Sequence, residues 1–126
     1  MDNQFALMIR LGDIAITRSG DKGNHVNLAV IARDEATFRW LADVLTAELV
    51  AKYFGWMGVE RVERFMLPNV WAFNFVLYNA LAGGASRSLR WDSQGKLVGT
   101  LAQELLLPDN GAAERARSSA HGPGDS

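Results

Sequence analysis

Apolar and polar positions along the chain fall into six periodic stretches. Ile9 to Arg18 is apolar and β-branched in its second half (Ile14, Ile16, Thr17) and carries Arg10 and Asp13 in its first, the pattern of a strand with one wet face. Asn27 to Arg33 is apolar on both faces and suits a central strand. Asp34 is placed to cap a helix whose stripe is Phe38, Leu41, Leu45 and Leu49, with Trp40, Val44, Ala47 and Ala51 beside it. Arg39/Asp43 and Glu48/Lys52 are i,i+4 charge pairs on that helix, and Gly55 and Gly58 end it. Val59 to Leu67 alternates apolar and charged residues, as an edge strand does. After a Pro68-Asn69 turn, Val70 to Tyr78 puts Trp71, Phe73, Phe75 and Leu77 on one face and Val70, Ala72, Asn74 and Val76 on the other. A polar, glycine-rich passage from Asn79 to Gln94 leads to a last helix bearing Leu97, Val98, Leu101 and Leu105, stopped by Pro108.

The order ββαββα predicts an α+β domain. It is the ferredoxin-like plan βαββαβ, circularly permuted by moving the last strand to the front: a four-stranded antiparallel sheet with two helices on one face. That topology requires the second and fourth strands to be central and the first and third to be edges. The two stretches apolar on both faces are the second and the fourth, so pattern and topology agree. An apolar outer face on a central strand also predicts that a second copy or a partner subunit covers the sheet, giving a homo-oligomer, dimer or higher.

Composition narrows the class further. The chain has 126 residues, so one domain is expected, spanning 5–109. Residues 110–126 mix alanines with Gly, Ser, Pro and balanced charges and read as a disordered tail. The absence of cysteine excludes a disulfide framework, a thiolate zinc site, an iron–sulfur cluster and a cysteine nucleophile. A net charge of −1 argues against nucleic acid as a partner. No stretch approaches the ~18 apolar residues of a membrane span, and the start lacks the form of a signal peptide, so a cytoplasmic protein away from the membrane is expected.

The topology puts the hairpin connection Arg18 to Asn27 at the same end of the sheet as the start of the last helix. Arg18, Lys22, Arg87, Arg90 and Lys96 would then gather on one rim with Asp21 and Asp92, a natural place for a carboxylate or phosphate. Asp21, Lys22 and His25 are the candidates for catalysis. Arg18, Ser19, Gly20, Gly23, Asn24, Asn27, Asn74, Arg90, Asp92 and Lys96 are the candidates for ligand binding. Each has a plainer reading. Asp, Gly and Asn are also what a turn needs, although a ten-residue connection is longer than turning requires. His25, the body's one histidine, is either a solvated loop residue or a general base; Asn74 either ties down a neighbouring loop or faces a ligand. Arg90 and Asp92, astride Trp91, suit a salt bridge, and Asp92 or Ser93 a helix cap. One histidine among scattered carboxylates predicts no metal site, and no cofactor is expected.

The run D-I-A-I-T-R-S-G-D-K-G-N-H-V-N-L-A-V-I-A-R (Asp13 to Arg33) resembles the small ferredoxin-fold domain of the AtuA family, the acyclic terpene utilisation proteins. P-N-V-W-A-F-N-F-V-L (Pro68 to Leu77) and G-G-A-S-R-S-L-R-W-D-S-Q-G-K (Gly83 to Lys96) are similar to its other marks. The matching positions, none with an assigned role, are Arg18 to Asn24, Asn27, Pro68-Asn69, Asn74, Gly83-Gly84, Arg90, Asp92 and Gly95-Lys96. The resemblance implies a stand-alone small subunit or accessory domain in bacterial catabolism of branched terpenoid or related organic acids, often handled as coenzyme A thioesters. It would bind an anionic acyl or acyl-CoA ligand or complete the active site of a larger AtuA-type subunit. Two alternatives stand beside it: a lone hydratase or isomerase with Asp21 or His25 as base, and a purely structural docking module.

Overall fold

The computed structural model describes residues 8–80 and 94–108. In chain order these form β1 (Met8–Arg10), β2 (Ala15–Lys22), β3 (His25–Ala32), α1 (Glu35–Val44), α2 (Ala47–Tyr53), β4 (Arg61–Leu67), β5 (Ala72–Tyr78), α3 (Gln94–Ala102) and β6 (Leu106–Pro108). The main sheet is antiparallel with the order β2-β3-β5-β4. The two strands apolar on both faces therefore lie in the middle. A strand flanked on each side loses more water-facing area than an edge strand, and only apolar side chains make that burial favourable.

Strand alternation fixes which residues meet the helices. Val26, Leu28 and Val30 of β3 and Phe73, Phe75 and Leu77 of β5 are buried. Phe38 of α1 stacks on Phe73 with ring centroids 4.7 Å apart, and α3 lies against β2. Tyr53 of α2 donates its hydroxyl to the carbonyl of Leu101 at 2.8 Å, tying α2 to α3.

Several local expectations are corrected. The first predicted strand is broken into β1 and β2 by a 3-10 turn at Leu11–Asp13. Gly12 there sits so close to Gln103 that a Cβ would stand 3.0 Å from the Gln103 Cβ. This approach lets Leu11 and Gly12 donate their N–H groups to the carbonyls of Leu105 and Gln103, each at 2.9 Å. β1 then pairs with β6, a strand that periodicity did not reveal because it is three residues long.

The predicted single helix is two. Thr46 is extended (φ −88°, ψ 162°), and its hydroxyl accepts from the Leu49 N–H at 3.1 Å, so it caps α2. A hydroxyl that bonds backbone outside the helix is a better cap than an interior residue. The break exposes the last carbonyls of α1, and Arg64 fills the gap: its Nη1 donates to Ala42 at 3.0 Å and Leu45 at 2.8 Å. A cation at a helix C-terminus is favoured by the dipole as well. Asp34 caps α1 as expected, accepting from the Thr37 N–H at 2.8 Å. Arg39 turns back to Glu35 at 2.8 Å rather than forward to Asp43.

Trp71 is not on the strand face with Phe73. A 3-10 turn at Pro68–Val70 leaves it in the left-handed region (φ 55°) and exposed, and β5 starts one residue later. Its carbonyl accepts from Ala32 at 2.8 Å, which anchors the turn to β3. Of the remaining expectations, those on Gly83-Gly84, Arg87, Arg90, Asp92 and residues 110–126 lie outside the described residues.

Candidate functional site

The connection expected to be a ten-residue loop from Arg18 to Asn27 is a ladder. Arg18 pairs with Ala29, Ser19 with Leu28, Gly20 with Asn27, Asp21 with Val26 and Lys22 with His25, so only Gly23 and Asn24 turn the chain. Gly23 takes φ +65°, which a two-residue hairpin needs and glycine supplies without a Cβ clash. The polar residues pair because the ladder uses backbone groups, and the buried Val26, Leu28 and Val30 opposite hold the register.

A ladder alternates, and this divides the candidates between two faces. Thr17, Ser19 and Asp21 point to α3. The Thr17 hydroxyl donates to the Gly99 carbonyl at 2.6 Å; the Ser19 Oγ accepts from the Gly99 N–H at 2.6 Å and donates to the Gly95 carbonyl. A Cβ on Gly95 would overlap the Asp21 carboxylate, and one on Gly99 would come within 3.0 Å of the Ser19 nitrogen. Glycines four apart thus let the helix start lie flat on β2, with the Asp21 carboxylate at its positive end. The expected neighbourhood of hairpin and last helix is present.

Arg18, Gly20 and Lys22 point the other way, onto the sheet face opposite α3, and so do His25, Asn27 and Asn74. The cations of the hairpin therefore do not converge with Lys96, which is exposed on the first turn of α3. On the outer face, register builds rows across the strands. Ile16, Ile31, Ala72 and Leu67 form one; Arg18, Ala29, Asn74 and Phe65 the next; Gly20, Asn27, Val76 and Glu63 the third. The β3, β4 and β5 members of the first two rows, with Val70 and Phe73, line an open apolar groove of ≈ 390 Å³: Ala29, Ile31, Phe65, Leu67, Ala72 and Asn74. Among the described residues a Cβ at Gly20 would touch nothing within 4 Å, so the backbone between Arg18 and Lys22 is uncovered on this face.

Beyond the third row the face is polar. The His25 Nδ1 accepts from the Asn79 N–H at 2.9 Å, and its ring meets Tyr78 edge-on with centroids 4.9 Å apart. The Arg61 guanidinium lies 3.8 Å over the Tyr78 ring, and the Tyr78 hydroxyl donates to Glu63 at 2.7 Å. That bond to a carboxylate, with some desolvation, pushes the Tyr78 hydroxyl above its usual 10.0. Among the described residues no three His, Asp or Glu stand close enough to hold a metal ion. None of the described helices is long and apolar enough to cross a membrane.

What the sequence missed here is the groove and the Arg61–Tyr78–Glu63 cluster. Its signal was available only as residues two apart on four strands whose relative register was unknown.

The four-stranded antiparallel sheet and its helices define a mixed α+β domain of ferredoxin-like type. The family model of the AtuA ferredoxin-like domain matches residues 9–107, and the chain belongs to that family. No significant match was found among curated proteins or among solved structures.

Proposed function

We propose that this chain is an accessory domain that holds an anionic branched acyl group, free or as its coenzyme A thioester, on the open face of its sheet. The carrying observation is an apolar groove on the same sheet face that bears the exposed cations Arg18 and Lys22. The groove of ≈ 390 Å³ lies at the small end of ligand-pocket volumes and has room for a short acyl chain, and the strand row that includes Ala29 and Asn74 ends at Arg18. Arg18 and Lys22 supply charge to a carboxylate or phosphate, a fork and a point charge respectively. Gly20 leaves room for the ligand's head, and Asn27 and Asn74 offer amide hydrogen bonds. Ser19, Asp21, Gly23 and Asn24 shape the hairpin and dock it on α3. Proton transfer at this face falls to Lys22 and His25, paired in register; Asp21 stands on the other face, at the helix start.

The same reading takes the strand order as a permuted ferredoxin-like plan with its helices on one face. It places the domain in the cytoplasm of a bacterium that degrades terpenoid or related branched acids, acting with a second copy and a larger AtuA-type subunit. Lys96, exposed on the first turn of α3, is assigned to that larger subunit's side of the site, and Arg90 and Asp92 are kept as ligand-binding candidates.

Isothermal titration of the purified chain with short branched acids and their coenzyme A thioesters tests this. Saturable binding is expected, weakened about tenfold or more by Arg18→Ala, the loss of one charge-assisted bond. In a thermal-shift assay a ligand at about 100 times its dissociation constant adds ~2.7 kcal/mol of stability. If no anion binds, with or without the larger subunit present, the groove is not a ligand site.

A further inference from the structure

We propose that β4 is a dimerisation edge: it pairs antiparallel with the β4 of a second copy of this chain, in the register centred on Val62. β4 ends the sheet, so among the described residues one row of its backbone N–H and C=O groups has no strand beside it. Natural edges are commonly blunted by proline, a bulge or lysines. β4 has no proline, bulge or lysine; its protection is charge, carried by Arg61, Glu63 and Arg64, and charge of both signs repels a foreign strand but not a complementary one. Its ladder to β5 runs unbroken from Arg61 to Leu67, and Glu60 extends it with an N–H donated to Tyr78 at 3.0 Å.

What selects a second copy as the occupant is charge order. Residues 60–64 read Glu-Arg-Val-Glu-Arg, a segment that is its own complement when reversed. A two-fold axis perpendicular to the sheet keeps the two faces distinct, so a strand meets its own copy only in registers that set one residue opposite itself. Centring on Arg61, Glu63 or Arg64 sets a charge against its like. Centring on Phe65 sets Arg64 against Met66 and Glu63 against Leu67. Centring on Val62 sets Glu60 opposite Arg64, Arg61 opposite Glu63, and Val59 opposite Phe65. Every opposed pair is then of unlike charge or apolar on both sides, which is the favoured arrangement in antiparallel sheets.

The side chains remain accessible for this although Arg61 lies over the Tyr78 ring and Glu63 accepts the Tyr78 hydroxyl. Arg61 and Glu63 are 62 % and 47 % exposed, and their contact within the chain is long at 3.8 Å. Arg64 spends only Nη1 on the carbonyls of α1, leaving its other donors for Glu60. The result is an eight-stranded sheet with both acyl grooves on one continuous face. The edge does not depend on the ligand reading, and its failure would leave that reading standing.

Sedimentation equilibrium on the full chain tests it with a charge swap. The unaltered chain is expected to dimerise. Arg61→Glu alone and Glu63→Arg alone each set like charges opposite and are expected to raise the dissociation constant about tenfold or more. The double variant R61E/E63R restores complementarity and the dimer, and the two single variants mixed together form a heterodimer. Restored association also shows that the single variants were folded. A monomeric unaltered chain, or a dimer that either single variant leaves intact, or a double variant as weak as the singles, would overturn the proposal.

Discussion

Two glycines on β2 and α3 have opposite meanings. Among the described residues Gly20, on the face away from α3, has nothing within 4 Å of its missing Cβ, whereas a Cβ on Gly99 would stand 3.0 Å from the Ser19 backbone. Gly20→Ala is expected to leave stability unchanged or raise it by about 0.4–1 kcal/mol, because it removes freedom from the unfolded chain. On the proposed acyl reading, the same change is expected to fill space between Arg18 and Lys22 and to weaken binding. Gly99→Ala is expected to cost about 1–3 kcal/mol by overpacking the helix against β2. Urea unfolding of both variants, with titration of the first, separates a binding glycine from a packing one. The residues R-S-G-D-K-G-N are visible in the sequence as an unusual polar run, but not their division. Ser19 and Asp21 pack on a helix while Arg18 and Lys22 face away because a strand alternates, and the run does not look like a strand.

At the scale of elements, side-chain hydrogen bonds to backbone overrode the hydrophobic stripe. Phe38, Leu41, Leu45 and Leu49 fit one helix, yet Thr46 divides it. A stripe is tolerant of a break that shifts the axis slightly; an unpaired carbonyl is not. Thr46→Ala is expected to lose about 1 kcal/mol, with α2 fraying first, read as increased amide exchange at Leu49 and Val50. The break was foreseeable only as a Thr three residues before a backbone N–H, a pattern common in unbroken helices. What made it stable is distant in sequence: Arg64 on β4 satisfies the carbonyls of Ala42 and Leu45.

For the molecule as a whole, the bond from Tyr53 to Leu101 joins the helix layer. Burial, reinforced by the charge of Glu104, raises the Tyr53 hydroxyl above its usual 10.0. A phenol whose folded value exceeds its unfolded one contributes stability that is complete below pH 10 and is lost as pH rises through the folded value. Alkaline unfolding is therefore expected to begin above pH 10, and Tyr53→Phe to flatten the dependence. The chain has only two tyrosines, and both are raised, so an ultraviolet titration of tyrosinate should place its midpoint above 10.

The sequence by itself determined the strand order. β3 and β5 are apolar on both faces and β2 and β4 are not, and burial energy leaves a central strand no other composition. It also determined the cap at Asp34, the edge character of β4 with its self-complementary charges, and the family. Only the tertiary structure decided the faces and the small second sheet. Met8 to Arg10 and Leu106 to Pro108 are too short to carry a period, and they become strands because Leu11 and Gly12 meet the end of α3. The groove, too, came from register: Ala29, Phe65 and Asn74 are far apart along the chain, and it takes the pairing of three strands to lay them in one row that ends at Arg18.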